Sequence, residues 1–182
     1  MKKYHNRVEY LSKLCSGKDC VEIGVNRGKY AAFIASVRPK SLYLIDIWDK
    51  SGDGFAMRSA YSIKGQKEAY QKAVEIMKRY NFVKFMKEWS VEAASKFEDN
   101  SLDFVYIDAD HAYDACQKDM DAWWPKVKKG GWMCGHDYEN LPAKKNETVV
   151  EVKEAVDDWL KLKNLKLGLI TLEGSPSWGI QK

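Results

Sequence analysis

The chain has 182 residues, 45% apolar and 13% aromatic, and its 30 basic and 26 acidic side chains leave a net charge of +4. That length suits one domain, and the apolar content with so small a net charge excludes intrinsic disorder. No run approaches the roughly 18 uncharged apolar residues of a membrane span, so no membrane is expected as a partner.

The basic residues are scattered, and nucleic acid is not an expected partner either. The opening MKKYHNRVEYLSKL is broken by Glu9 and Lys13 and does not read as a secretory signal. Cys15, Cys20, Cys116 and Cys134 form no C-x-x-C pair. That argues for reduced, buried thiols and a cytoplasmic setting rather than for zinc or a disulfide framework.

Short apolar runs alternate with amphipathic segments, the pattern of an α/β domain with a mainly parallel sheet. Residues 1–18 put Tyr4, Val8, Leu11 and Cys15 at helical spacing and predict an opening helix. The first strand spans about 19–25. A helix follows on Tyr30, Phe33, Ile34 and Val37 and stops before Pro39. The second strand is 42–47.

Residues 48–65 carry neither period and read as a loop long enough to be functional, with 49–65 a candidate lid. A third helix uses Ala69, Tyr70, Ala73, Val74, Met77 and Tyr80, a third strand covers 83–87, a short helix 91–97, and a fourth strand 102–107. The next helix buries Cys116, Met120, Trp123, Trp124 and Val127, with the Trp pair assigned to the core. Gly130 and Gly131 are read as the turn into a fifth strand at 132–135. After a polar loop, the last helix turns Val149, Val152, Val156, Trp159 and Leu160 inward. Residues 167–172 and 178–181 are too close for a helical crossover and should pair as an antiparallel hairpin. The expected architecture is a Rossmann-like, doubly wound, seven-stranded, mostly parallel sheet in one domain.

Val21 to Ala35 reads strand, then E-x-G-x-N-x-G, then helix. Glycines there allow a tight turn and close backbone approach to a ligand, and the helix start offers free N–H groups. Asp46 stands twenty-two residues after Gly24, at the end of the second strand, where an acid accepts hydrogen bonds from ribose hydroxyls. Glu22 is a carboxylate inside an apolar strand, costly unless paired or solvated at a crevice. It would face a pyrophosphate unfavourably and suits a cationic ligand with an amino group, which favours S-adenosylmethionine over a dinucleotide.

Asp108, Asp110 and His111 cluster beyond the fourth strand, and His136 and Asp137 beyond the fifth. Neighbouring strands lie about 4.8 Å apart, so Asp108 and Asp137 can face each other across the ligand crevice. Two such carboxylates need a cation between them, for which Mg²⁺ is a natural candidate. His111 can take a proton from a hydroxyl as a methyl group is attacked. Asp110 and Asp114 suit the start of the following helix.

With VEIGVNRG, LIDIW, VYIDADHAY and GGWMCGHDY together, the chain resembles the class I S-adenosylmethionine-dependent methyltransferases. More narrowly it resembles the small metal-dependent O-methyltransferases of the macrolide-sugar and catechol type. The resemblance runs from about residue 20 to the end. It implies a cofactor site of Glu22, Gly24, Asn26, Gly28, Asp46, Ile47, Trp48, Ser90 and Asp108, with the segment 88–90 along the adenine. It further implies metal carboxylates at Asp108 and Asp137 and a general base at His111. Asn26 replaces the usual middle glycine, tolerable because Asn adopts left-handed conformations. Tyr138 stands where catechol-type enzymes have an Asn ligand, and His136 where the sugar enzymes have an acid.

The expected activity is O-methylation of a small hydroxylated acceptor: a sugar, a polyketide or a phenol. The expected partner is that acceptor, with a homodimer left open. The rival readings are an NAD(P)-dependent oxidoreductase of the same fold and a catalytically silent nucleotide-binding module.

Overall fold

Among the described residues, 1–48, 63–141 and 149–182 of a computed structural model, eight strands form a single sheet. They are β1 (Lys2–Tyr4), β2 (Asp19–Ile23), β3 (Ser41–Asp46), β4 (Val83–Lys87), β5 (Leu102–Ile107), β6 (Val127–Gly135), β7 (Leu169–Thr171) and β8 (Trp178–Gln181). The helices are α1 (Leu11–Cys15), α2 (Lys29–Ser36), α3 (Ile63–Met77), α4 (Ser90–Ala94), α5 (Tyr113–Trp123) and α6 (Val152–Lys163). Across the sheet the order is β1-β7-β8-β6-β5-β2-β3-β4. β8 is antiparallel to both neighbours, β6 and β7, and the other pairings are parallel.

β2 and β5 are nearly continuous apolar runs because helices cover both of their faces. On one face Leu44, Phe104 and Tyr106 pack under Leu11, Ile34 and Met77 of α1, α2 and α3. On the other, Val21, Val105 and Met133 pack under Ala93, Trp123 and Trp159 of α4, α5 and α6. Each large apolar side chain among them contributes about 1.5–3 kcal/mol by leaving water. Trp123 is fully buried and Trp124 packs edge-on against Trp159, as core residues. All four cysteines are buried free thiols. Among the described residues no helix is long and apolar enough to cross a membrane.

The chain steps outward from β2 to β3 and β4, then returns to lay β5 on the other side of β2. That reversal is the switch point at which open α/β sheets bind ligands beyond the carboxyl ends of their strands.

Three expectations are corrected. The sheet has eight strands rather than seven, because the opening segment is not one helix over 1–18. Lys2–Tyr4 forms β1, in register with Leu169–Thr171 of β7, and the helix is only Leu11–Cys15. The apolar spacing misled because Tyr4 packs edge-on against Tyr10 across a turn, while Val8 faces solvent. Gly130 and Gly131 do not precede the fifth strand but lie within β6, where the register with β5 shifts between Leu102 and Phe104. Gly130 has φ +82° and a Cβ on Gly131 would stand 2.9 Å from the Asp103 carbonyl oxygen, so the pair makes a bulge. Of the expected lid, 49–62 lies outside the described residues, and 63–65 opens α3.

Candidate active site

The carboxyl ends of β2, β3 and β5 open into a crevice of about 1620 Å³. Its floor is the turn between β2 and α2. Gly24 has φ +83° and donates its N–H to Ile45 at 2.9 Å. A Cβ there would stand 1.9 Å from the Asp108 carbonyl oxygen, so only glycine lets β2 and β5 approach this closely. Asn26 takes a left-handed conformation, φ 52°, as expected for the residue replacing the middle glycine. Gly28, φ +74°, precedes α2, where a Cβ would meet the Ala73 Cα at 3.1 Å.

Asp46 ties the turn to the end of β3. Its Oδ2 accepts the Asn26 N–H at 2.7 Å and its Oδ1 the Trp48 N–H at 3.2 Å. Burial pushes the Asp46 carboxyl up despite those bonds. Ile47 is nearly buried beside it. The Trp48 ring is fully buried, edge-on to Tyr70, and its indole N–H donates to the Asn26 carbonyl at 2.9 Å. Trp48 therefore braces the turn from behind.

Glu22 is 2% exposed, and its Oε2 has no hydrogen-bond partner. Burial, then the neighbouring Asp108 charge, pushes its carboxyl well above the usual carboxylate range. A cationic ligand in the crevice would relieve that cost. The orphaned Glu22 oxygen, the glycine floor and the Asp46 carboxylate at the end of β3 together fit S-adenosylmethionine. At the far end the Glu88 N–H donates to the Asp46 carbonyl at 3.1 Å. The Ser90 hydroxyl accepts the Trp123 indole N–H at 2.9 Å and bonds the buried Asp119, so it is engaged from the protein side.

Beyond β5 and β6 the structure brings Asp108, His111 and Asp137 together. His111 Nε2 lies 3.3 Å from Asp108 Oδ1 and 3.4 Å from Asp137 Oδ2. His136 Nδ1 lies 3.1 Å from Asp137 Oδ1 and 3.8 Å from Asp108 Oδ2. Asp137 itself holds a left-handed φ of 49°, strain of the kind that clusters at functional sites. Burial lowers the His111 imidazolium, but the hydrogen bond and charge of Asp108, joined by Asp137 and Asp110, carry its pKa above the ordinary value. Burial opposes ionisation of Asp137, yet the hydrogen bond and charge of His136 and the charge of His111 hold it below the carboxylate range. One ligand atom from each of Asp108, His111 and Asp137 lies within 4.8 Å of the others. Two carboxylates and an imidazole are donors that suit a divalent cation. Tyr138, in contrast, bonds Asp157 through its hydroxyl and turns away. Asp110 accepts the Ala112 N–H at 3.0 Å, ahead of α5.

Two crevice residues carried no recognisable sequence pattern. Arg7 reaches in from the opening segment, its Nη1 3.5 Å from Asp108 Oδ2. Asp119, on α5, is 5% exposed, and burial pushes its carboxyl up to about 7.

A doubly wound sheet with a glycine floor, a carboxylate at the end of β3 and an acid–histidine cluster at its switch point is an arrangement suited to a nucleoside cofactor. The family follows from the sequence: residues 21–138 match the methyltransferase domain family, and the chain belongs to it, as an S-adenosylmethionine-dependent methyltransferase. No curated protein matches the chain.

Solved structures share its fold at low identity. An rRNA methylase from Streptococcus thermophilus aligns with TM-score 0.64 and 11% identity over 96% of this chain and 93% of its own. A Streptococcus mutans protein described as a methyltransferase, in complex with SAH, gives 0.66 and 11% over 96% and 94%. An O-methyltransferase family protein from Burkholderia thailandensis gives 0.65 and 15% over 96% of this chain and 55% of its own.

Proposed function

We propose that this methyltransferase acts on an oxygen of a small hydroxylated acceptor, with His111 as the base. The observation that carries the reading is the position of His111 Nε2, between Asp108 and Asp137 and beside the cofactor crevice. S-adenosylmethionine supplies an electrophilic methyl on a positively charged sulfur, which leaves with its bonding pair as the thioether of S-adenosylhomocysteine. The acceptor oxygen forms the new C–O bond, and its proton passes to His111 Nε2. Asp108 and Asp137 then stabilise the imidazolium at the distances already present. The floor at Gly24, Asn26 and Gly28, with Asp46 for the ribose and Glu22 near the positive end, would hold the donor in register. Ile47, Trp48 and Ser90 contribute by shaping and bracing that floor. The scattered basic residues favour a small acceptor over the nucleic acid that the rRNA methylase neighbour's name indicates for that protein.

A second reading has its own observation in the clustering of Asp108, His111 and Asp137. These three would hold a divalent cation: the carboxylates of Asp108 and Asp137 alone suit Mg²⁺, while His111 as a third ligand suits a softer ion such as Zn²⁺, and either ion would lower the pKa of a bound acceptor hydroxyl. The same Nε2 lone pair cannot bind an ion and take a proton, so the two roles of His111 are alternatives.

The test is to incubate the protein with deuteromethyl S-adenosylmethionine and a panel of sugars, polyketides and phenols, with and without chelator. A labelled O-methyl product that forms with chelator present and disappears in His111→Ala supports the base reading. Activity abolished by chelator supports the cation. Labelling only of nitrogen, carbon or RNA acceptors overturns the acceptor class.

A further inference from the structure

Arg7 lies outside every motif described above, yet it stands in the wall of the crevice. Its guanidinium lies over the Tyr30 ring, 4.7 Å from the centroid, beside the first turn of α2. Both of its side-chain polar contacts run through Nη1 and are long: 3.4 Å to the Tyr106 hydroxyl and 3.5 Å to Asp108 Oδ2. Among the described residues, Nη2 and Nε of the fork have no hydrogen-bond partner. A guanidinium carries five donors, so most of its capacity is unspent.

The backbone of Arg7 is fixed from two sides. Its N–H donates to the Glu173 carboxylate at 2.9 Å, and its carbonyl accepts the Tyr30 hydroxyl at 3.2 Å. Tyr30 in turn bonds the buried Tyr10 hydroxyl at 3.1 Å, and β1 anchors the segment to β7. The short opening strand that periodicity alone missed is thus what carries Arg7 to the site. A side chain delivered by so fixed a strap loses little freedom on binding.

We propose that Arg7 is the receptor for the carboxylate of the donor's amino-acid end, and that Asp108 receives its ammonium. This rests on the assignment of S-adenosylmethionine to the crevice. The lateral order of the sheet sets the direction. A ribose on Asp46 would sit at the end of β3, the chain leaving it would cross Gly24 at the end of β2, and the next strand over is β5, past whose end Asp108 stands with the Arg7 side chain against it. Neighbouring strands are about 4.8 Å apart, so the amino-acid end of a ligand that begins on β3 comes to rest over β5. The Arg7–Asp108 pair is the charge complement of a zwitterion. Without ligand the two neutralise each other, and with ligand each exchanges its partner for the matching half of an α-amino acid. Neither state leaves a half-buried charge uncompensated. A carboxylate also matches the planar guanidinium fork, which a point charge does not.

The discriminating probes are S-adenosylhomocysteine and 5′-methylthioadenosine, which keeps the adenosine and the sulfur but lacks the amino acid. Titrating each into wild type, Arg7→Gln and Arg7→Lys by calorimetry reads binding without turnover. Loss of one charge-assisted contact predicts about 10- to 100-fold weaker S-adenosylhomocysteine binding to Arg7→Gln. Methylthioadenosine should bind wild type and Arg7→Gln alike, which also shows that the variant is folded. Arg7→Lys should fall between. If Arg7→Gln weakens both ligands equally, or neither, the assignment is overturned. If wild type binds neither ligand, the cofactor reading itself fails, an outcome distinct from the failure of Arg7.

Discussion

Gly24 and Asp108 lie so close at the ends of β2 and β5 that a Cβ on the glycine would stand 1.9 Å from the Asp108 carbonyl oxygen. The contact joins the cofactor floor to the acid cluster. Gly24→Ala meets that backbone and a φ of +83° at once, and neither can give cheaply. We expect a loss of ~3 kcal/mol or more in stability, measured by denaturant unfolding, with S-adenosylhomocysteine binding lost under native conditions.

Asp119 makes stability pH-dependent. Its carboxyl titrates near 7 in the fold against an ordinary 3.8, so between those values the folded state holds more protons than the unfolded one. Stability from this group is complete below the unfolded value and falls as pH rises through 7. The gap corresponds to about 4 kcal/mol at most. Asp119→Asn removes the titration, so its melting temperature should gain on wild type from pH 5 to about pH 7 and level off above that. A constant offset across that range would refute the role of burial at this carboxyl.

His111 should impose an acid limb on the rate. Its pKa is raised, so the neutral base is scarce at pH 6.5 and appears as pH climbs above the ordinary histidine value. The pH profile of kcat/KM should therefore rise with a midpoint above 6.5. His111→Ala should lose about 100- to 10,000-fold in kcat and flatten that limb, while binding S-adenosylhomocysteine as wild type does.

Asp137 sits at a left-handed φ of 49°, which glycine and asparagine tolerate better than most residues. Asp137→Asn should keep the fold, and removing its negative charge should lower the His111 pKa and shift the acid limb of the rate profile downward. An unmoved limb would show that Asp137 does not sense the proton on His111.

Much of this arrangement was legible in the chain because it is encoded locally. Val83–Lys87 and Leu102–Ile107 have the bounds expected of them, since each is a short apolar run closed by polar residues at both ends. The left-handed Asn26 and the placing of Asp46 followed from spacing within one strand–helix–strand unit, β2 to α2 to β3. What escaped was non-local. β1 exists because of its pairing with β7, more than 160 residues away, and three residues carry too little pattern to announce that. Arg7 was hidden for the same reason: a lone arginine in the turn after an unrecognised strand has no local context. Asp119 escaped because one acid on an amphipathic helix looks like solvent-facing charge until the packing of α5 against Ser90 is seen. The Gly130–Gly131 pair reads locally as a turn, but a bulge uses the same residues, and only the register with β5 tells the two apart.

The most direct test of the account is calorimetric titration of S-adenosylhomocysteine into wild type and Asp46→Ala. Asp46 anchors the turn through Asn26 and Trp48 and is the residue proposed to hold the ribose, so saturable wild-type binding should weaken by at least about 10-fold in the variant. Equal binding by the two proteins, or binding of NAD in place of S-adenosylhomocysteine, would contradict the claim that this crevice holds the methyl donor.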